Sequence, residues 1–194
     1  MPKRAKGSRG AALVEAAIVT PFFLLMVFAV LEFGYGFMDR QTVKNASITG
    51  ARVASSEGLN GIADYNILQS VKRASSAMKS TKVQLVIVYK ASSYTASVPT
   101  ACKTASTNNG TIFCNRYTGA DFAKDSSYFG CQTGDLDLAW CPITRKTAVS
   151  GPNGPPDYVG IYIQGRHDNL SGLFGSGYDF KSDTVMRLEP TRLG

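Results

Sequence analysis

The sequence predicts an α+β protein, with a long N-terminal transmembrane helix followed by a small ectodomain. That ectodomain holds a second helix, a mostly antiparallel sheet and a Cys-containing loop insertion. Three observations predict this. Residues 16–31 carry no charge at all. Two later segments, KVQLVIVYK from Lys82 and DYVGIYIQG from Asp157, are rich in β-branched and aromatic residues with period-two alternation. All four cysteines lie between those segments, in a stretch dominated by turn-forming residues. The resulting division is a basic leader at 1–10, a transmembrane helix at 11–38, a helix extension at 39–57, and an ectodomain at 58–194 with an insertion at about 91–156.

The apolar segment is long enough to span a bilayer, which takes about 20 helical residues. Lys3, Arg4, Lys6 and Arg9 precede it and supply more than half of a formal net charge of +7. A basic leader stays on the cytoplasmic side, so a single-pass protein with its C-terminal domain outside is expected. Membrane lipid is then its first partner. The remaining basic residues are interleaved with acidic ones and form no stripe, so no nucleic-acid partner is expected.

Two details of this segment separate the kinds of export signal. A conventional signal peptide is cut after small residues, whereas Val30-Leu31-Glu32-Phe33 is bulky and charged. A plain signal anchor fits the length but leaves Glu15 unexplained. A carboxylate costs about 2.5–3.5 kcal/mol at the centre of a spanning helix and less near its edge. Such residues usually have a partner. Pro21 removes one backbone hydrogen bond and is expected to kink or loosen the helix.

Beyond Met38 the helix continues as a polar extension to about Glu57, with Gly58 as its stop. Val43, Ala46, Gly50 and Ala54 recur at three- and four-residue steps. Small residues at Ala46, Gly50 and Ala54 let another helix approach closely. Two readings stand side by side: a contact with a neighbouring subunit, and packing against the chain's own domain. A second helix is expected from Ile62 to Met78, capped by Asn60, with Ile67, Val71, Ala74 and Met78 on one face. A strand follows at Lys82–Lys90, with Val83, Leu85, Ile87 and Tyr89 alternating. The second strand places Val159, Ile161 and Ile163 on one face and Tyr158 and Tyr162 on the other. A Gly-rich linker at 167–180 then leads to a third strand at about Asp183–Leu188.

Cys102, Cys114, Cys131 and Cys141 include no C-x-x-C pair, and His167 is the sole histidine, so no metal or cofactor is expected. An even count in an exported domain points to two disulfides with three possible connectivities. The local pairing, Cys102–Cys114 with Cys131–Cys141, is preferred because short loops close easily. The insertion is expected to contain short strands or helices rather than bare loop. A nucleophilic triad would have to use His167, here read as part of a polar turn with no nucleophile motif near it. Asp135 and Asp137 are read as a solvated acidic turn. No enzymatic activity is expected.

A basic leader, Gly10, four small or apolar residues, Glu15 and an apolar helix carrying Pro21 together resemble a class III, prepilin-type signal sequence. Gly50-Ala51-Arg52, the Tyr-Val-Gly-Ile-Tyr-Ile strand and the Thr184–Pro190 tail are similar to the TadE-like group of pseudopilins. These are minor components of the tight-adherence (Tad) pilus machinery in the bacterial inner membrane. The resemblance implies cutting by a prepilin peptidase between Gly10 and Ala11, which makes Glu15 the fifth residue of the mature chain. It further implies other pilin-like subunits and pilus assembly proteins as partners, with a role in pilus assembly or adhesion. The alternative is an unprocessed, membrane-anchored cell-envelope binding domain.

Overall fold

The computed structural model describes residues 8–78, 82–152 and 154–190. Most of the basic leader therefore lies outside the described residues. One helix, α1 (Ser8–Glu57), runs unbroken for 50 residues and includes Pro21. At 1.5 Å per residue it is about 75 Å long. It ends at Gly58, whose φ of 55° is the left-handed conformation that suits glycine after a helix C-terminus.

Helix α2 (Ala63–Ala74) is shorter than the periodicity suggests. Asn60 does not cap it from the N-cap position. Its Oδ1 accepts the Ile62 N–H and its Nδ2 donates to Glu57, so it shapes the turn between the helices. The apolar spacing continues to Met78, which is buried from a turn that follows the helix. Spacing alone does not separate these two geometries.

Five strands form one antiparallel sheet in the order β2-β3-β1-β4-β5. They are β1 (Val83–Ala91), β2 (Thr107–Asn108), β3 (Phe113–Tyr117), β4 (Tyr158–His167) and β5 (Tyr178–Arg187). The insertion thus supplies two strands to the β1 edge, together with several short 3₁₀ turns. Two expectations need correction here. Strand β4 continues through His167, and β5 starts at Tyr178, so the linker shrinks to 168–177. Residues 178–182 mix strand-favouring Tyr178 and Phe180 with the strand-disfavouring Asp179 and Lys181, and the ladder against β4 settles them as strand. In β1, a register shift between Val83 and Leu85 moves Val83 to the opposite face from Leu85, Ile87 and Tyr89.

Both faces of the sheet are covered. On one, Val86, Val88, Ile161 and Ile163 pack against Val43, Ala46 and Ala54 of α1 and Ile67, Leu68 and Val71 of α2. On the other, Leu85, Ile87, Tyr89 and Tyr162 lie under the start of the insertion, with Val98, Cys102 and Cys114. The close approach of Tyr89 to its cross-strand partner Gly160 needs a glycine, since a Cβ there would overlap the phenol ring. The outer half of α1 is tied to β5 by side-chain bonds. Ser47 Oγ meets Ser182 Oγ at 2.7 Å and Thr184 Oγ1 at 2.9 Å, and Ser55 Oγ donates to the Arg187 carbonyl at 2.6 Å.

Candidate assembly site on the N-terminal helix

Helix α1 has two unlike halves. From Gly10 to Phe28 every residue is exposed, and the apolar side chains point all round the helix. Leu13, Phe22 and Met26 are each about 70 % exposed, so no domain surface covers any side of this half. A helix that is apolar on every face needs a membrane or a helix bundle around it. Length and composition make α1 a candidate membrane span. From Val43 onward the helix instead buries a stripe in its own domain.

Glu15 is exposed on the first half, one helical turn beyond Ala11 and on the same face of the helix. The Gly10–Ala11 bond lies in the first turn of α1, where the initial N–H groups lack intrahelical acceptors and the helix frays most easily. Pro21 leaves the Ala17 carbonyl without its usual donor, yet the helix continues past it.

Ala46, Gly50 and Ala54 face inward. Ala46 and Ala54 are buried, and a Cβ on Gly50 would lie 2.8 Å from Val71 Cγ2 and 3.3 Å from Ile161 Cγ2. In this structure the small-residue stripe receives α2 and β4 of the same chain.

The four cysteines form Cys102–Cys114 and Cys131–Cys141, with Cα–Cα separations of 6.0 and 5.5 Å. The first holds the start of the insertion onto β3. The second encloses Asp137, which differs from the solvated turn expected for it. Asp137 is buried and accepts backbone N–H bonds from Gly130 and Cys131. Burial pushes its carboxyl above the usual range, against the pull of those N–H donors. Cys131 has φ of 66°, a left-handed conformation for a non-glycine residue, beside this carboxylate.

Three groups of residues escaped the sequence reading. His167 is buried at the end of β4 rather than placed in a polar turn, and its Nδ1 bonds to Asp39 Oδ2 of α1 at 2.8 Å. Lys82 Nζ lies 3.6 Å from the same oxygen. Glu32 is also buried, and its Oε1 accepts the Leu170 N–H at 2.6 Å. In the domain core, Asp64 of α2 pairs with Arg145 of the insertion. Its second oxygen accepts from Asn115 Nδ2 and Tyr117 Oη, each at 2.7 Å. Burial and the adjacent Asp64 charge push the Tyr117 phenol far up. The available signal was Asp64 itself, a carboxylate beside Ala63 and Ile67 on the apolar face of α2. Among the described residues no group of three or more His, Cys, Asp or Glu is placed to hold a metal ion.

Comparison with known proteins adds one finding. Residues 10–52 match the family model described as TadE-like protein. No curated protein and no solved structure gives a significant match. The match begins at Gly10, crosses Glu15 and Pro21, and ends at Arg52, inside the part of α1 that packs on the sheet. Over residues 10–52 the first helix of this chain is therefore similar to that of TadE-like proteins, and here it carries a disulfide-bonded α+β domain.

Proposed function

We propose that this chain is a minor pseudopilin of a Tad-type pilus or secretion apparatus, inserted into the bacterial inner membrane by α1 with its domain outside. The observation that carries the reading is the uncovered apolar half of α1 with Glu15 on it, within a segment that matches the TadE-like family. A prepilin peptidase would cut between Gly10 and Ala11. The new amine on Ala11 carries a positive charge, and Glu15 of an adjacent pilin-like subunit is the group that can pair with it. Removing one partner from a buried ion pair costs on the order of 3–5 kcal/mol, enough to set axial register in a helix bundle. The small-residue stripe is occupied internally, so lateral packing falls to the helix from Ala11 to about Phe28. The domain would then be displayed for assembly or adhesion, in a structural rather than enzymatic role.

N-terminal sequencing of the protein from its native host, beside a Gly10→Arg variant, tests the processing. A mature chain beginning at Ala11, with the variant uncut, is the expected result. A native chain that keeps its leader refutes the processed pseudopilin and leaves an anchored envelope domain.

A further inference from the structure

The β4–β5 hairpin descends along α1 rather than pointing away from it. His167 meets Asp39, Tyr178 Oη reaches Gly36, Phe174 stacks near Phe33 with ring centroids 6.2 Å apart, and the Leu170 N–H caps Glu32. Moving toward the hairpin tip therefore means moving back along α1 into its apolar stretch. On those same turns of α1, Phe33, Tyr35, Phe37 and Met38 remain exposed, and the first exposed cation is Arg40. Arg40 comes seven positions after Phe33, a rise of about 10 Å. From Ala11 to Phe33 the rise is about 33 Å, close to the thickness of a bilayer's hydrocarbon core. The tip thus lies level with the outer edge of that core.

Its chemistry suits that depth. Leu170, Leu173 and Phe174 are 71, 58 and 44 % exposed, and together they continue the apolar surface of the helix beside them. Part of the turn's backbone finds partners within the turn, which lowers the cost of placing it beside lipid. Asn169 Nδ2 donates to the carbonyls of Phe174 and Gly175, and Ser171 Oγ accepts the Leu173 N–H. Glu32, otherwise a bare carboxylate against lipid, is covered by the loop. Charge returns at the base of the hairpin, where Arg166 pairs with Asp168 and Asp179. An apolar tip below a charged collar is the pattern of an interfacial anchor.

We infer that residues 170–174 form a second, interfacial membrane contact that dips into the outer leaflet and holds the domain at a set angle to its anchor helix. This rests on the reading of α1 as a membrane span. The apolar tip beside α1 favours lipid, and a second copy of the chain is the other possible occupant.

The test uses the full-length chain in phosphatidylcholine vesicles at high lipid dilution, with lipids brominated either near the glycerol end or near the end of the acyl chain. Bromine quenches tryptophan on contact, and Trp140 is buried in the domain, so the wild-type signal is the baseline. Three single variants are compared: Leu173→Trp at the tip, Phe22→Trp in the apolar helix, and Tyr94→Trp at the far end of the sheet. Leu173→Trp is expected to be quenched most by shallow bromine, Phe22→Trp most by deep bromine, and Tyr94→Trp by neither. Quenching of Phe22→Trp without Leu173→Trp overturns the inference while leaving the span intact, because the tip then lies outside the lipid. Quenching of neither overturns the span itself. Equal quenching of Tyr94→Trp and Leu173→Trp also overturns the inference, because the contact would then not be specific to the tip.

Discussion

Asp64 and Arg145, 81 positions apart in the chain, form an ion pair in which neither side chain has any solvent exposure. The guanidinium also sits 4.3 Å from the centroid of the Trp140 ring, and the Asn115 side-chain amide donates to the Trp140 carbonyl and accepts the Trp140 N–H. One carboxylate on α2 thereby joins the second helix, strand β3 and the insertion. It holds the part of the domain that has no long secondary structure of its own.

Removing the cation should be severe. Arg145→Met leaves Asp64 charged and buried, a loss on the order of 3–5 kcal/mol. Arg145 Nε and Nη1 have no hydrogen-bond partner among the described residues, so the intact pair is itself imperfectly satisfied. The double variant Asp64→Leu with Arg145→Met is therefore expected to recover much of the loss. Denaturant unfolding of the detergent-solubilised chain, followed by Trp140 emission, measures both.

At Gly50 the expected effect is overpacking. An added methyl would sit 2.8 Å from a Val71 methyl group that is itself fully buried. Gly50→Ala should lower stability by about 1–3 kcal/mol despite its better helix propensity. A midpoint shift in the same unfolding experiment decides it. An unchanged or raised midpoint would show that α1 and α2 can separate without loss.

Alkaline pH should weaken the domain through two phenols. Tyr89 donates to Asp183 at 2.7 Å and Tyr117 donates to Asp64, and burial raises both above the ordinary tyrosine range. The folded state thus holds these protons more tightly than the unfolded chain does. Their contribution is fully present below about pH 10, the unperturbed tyrosine value, and is lost as the pH rises above it. Melting temperature is expected to fall above that pH, and Tyr89→Phe should flatten the fall by removing one of the two groups.

The disulfides should contribute through the unfolded chain. Each closes a loop of similar size, with sequence separations of 12 and 10. Loop-closure entropy gives about 3 kcal/mol for either. Losing Cys131–Cys141 also loosens the cage of N–H donors around the buried Asp137, so Cys131→Ala with Cys141→Ala should destabilise more than Cys102→Ala with Cys114→Ala. Melting of the two double variants ranks them.

Much of the fold was legible in local pattern. Alternation found β1 and β4, and a charge-free run found the exposed half of α1. Turn-rich composition around four cysteines found a cross-linked insertion. Two elements were less visible because their structure is borrowed. The first residues of β5 are strand because β4 lies beside them, and Val83 changes face because of a register shift that no alternation rule contains. At the proposed assembly site, Glu15 stood out because charge is rare in an apolar helix. Glu32 and His167 did not, because each is explained only by a partner more than a hundred residues away.

By itself the sequence determined the parts that depend on near neighbours: the length and greasiness of α1, the Gly10–Glu15 spacing and the two central strands. Those follow from helix and strand periodicity and from transfer energies. Tertiary structure alone decided which face each small residue of α1 spends on its own domain, where the buried charges find partners, and how the β4–β5 hairpin lies against the helix. These depend on contacts between residues far apart in the chain, and no local pattern specifies which distant group arrives.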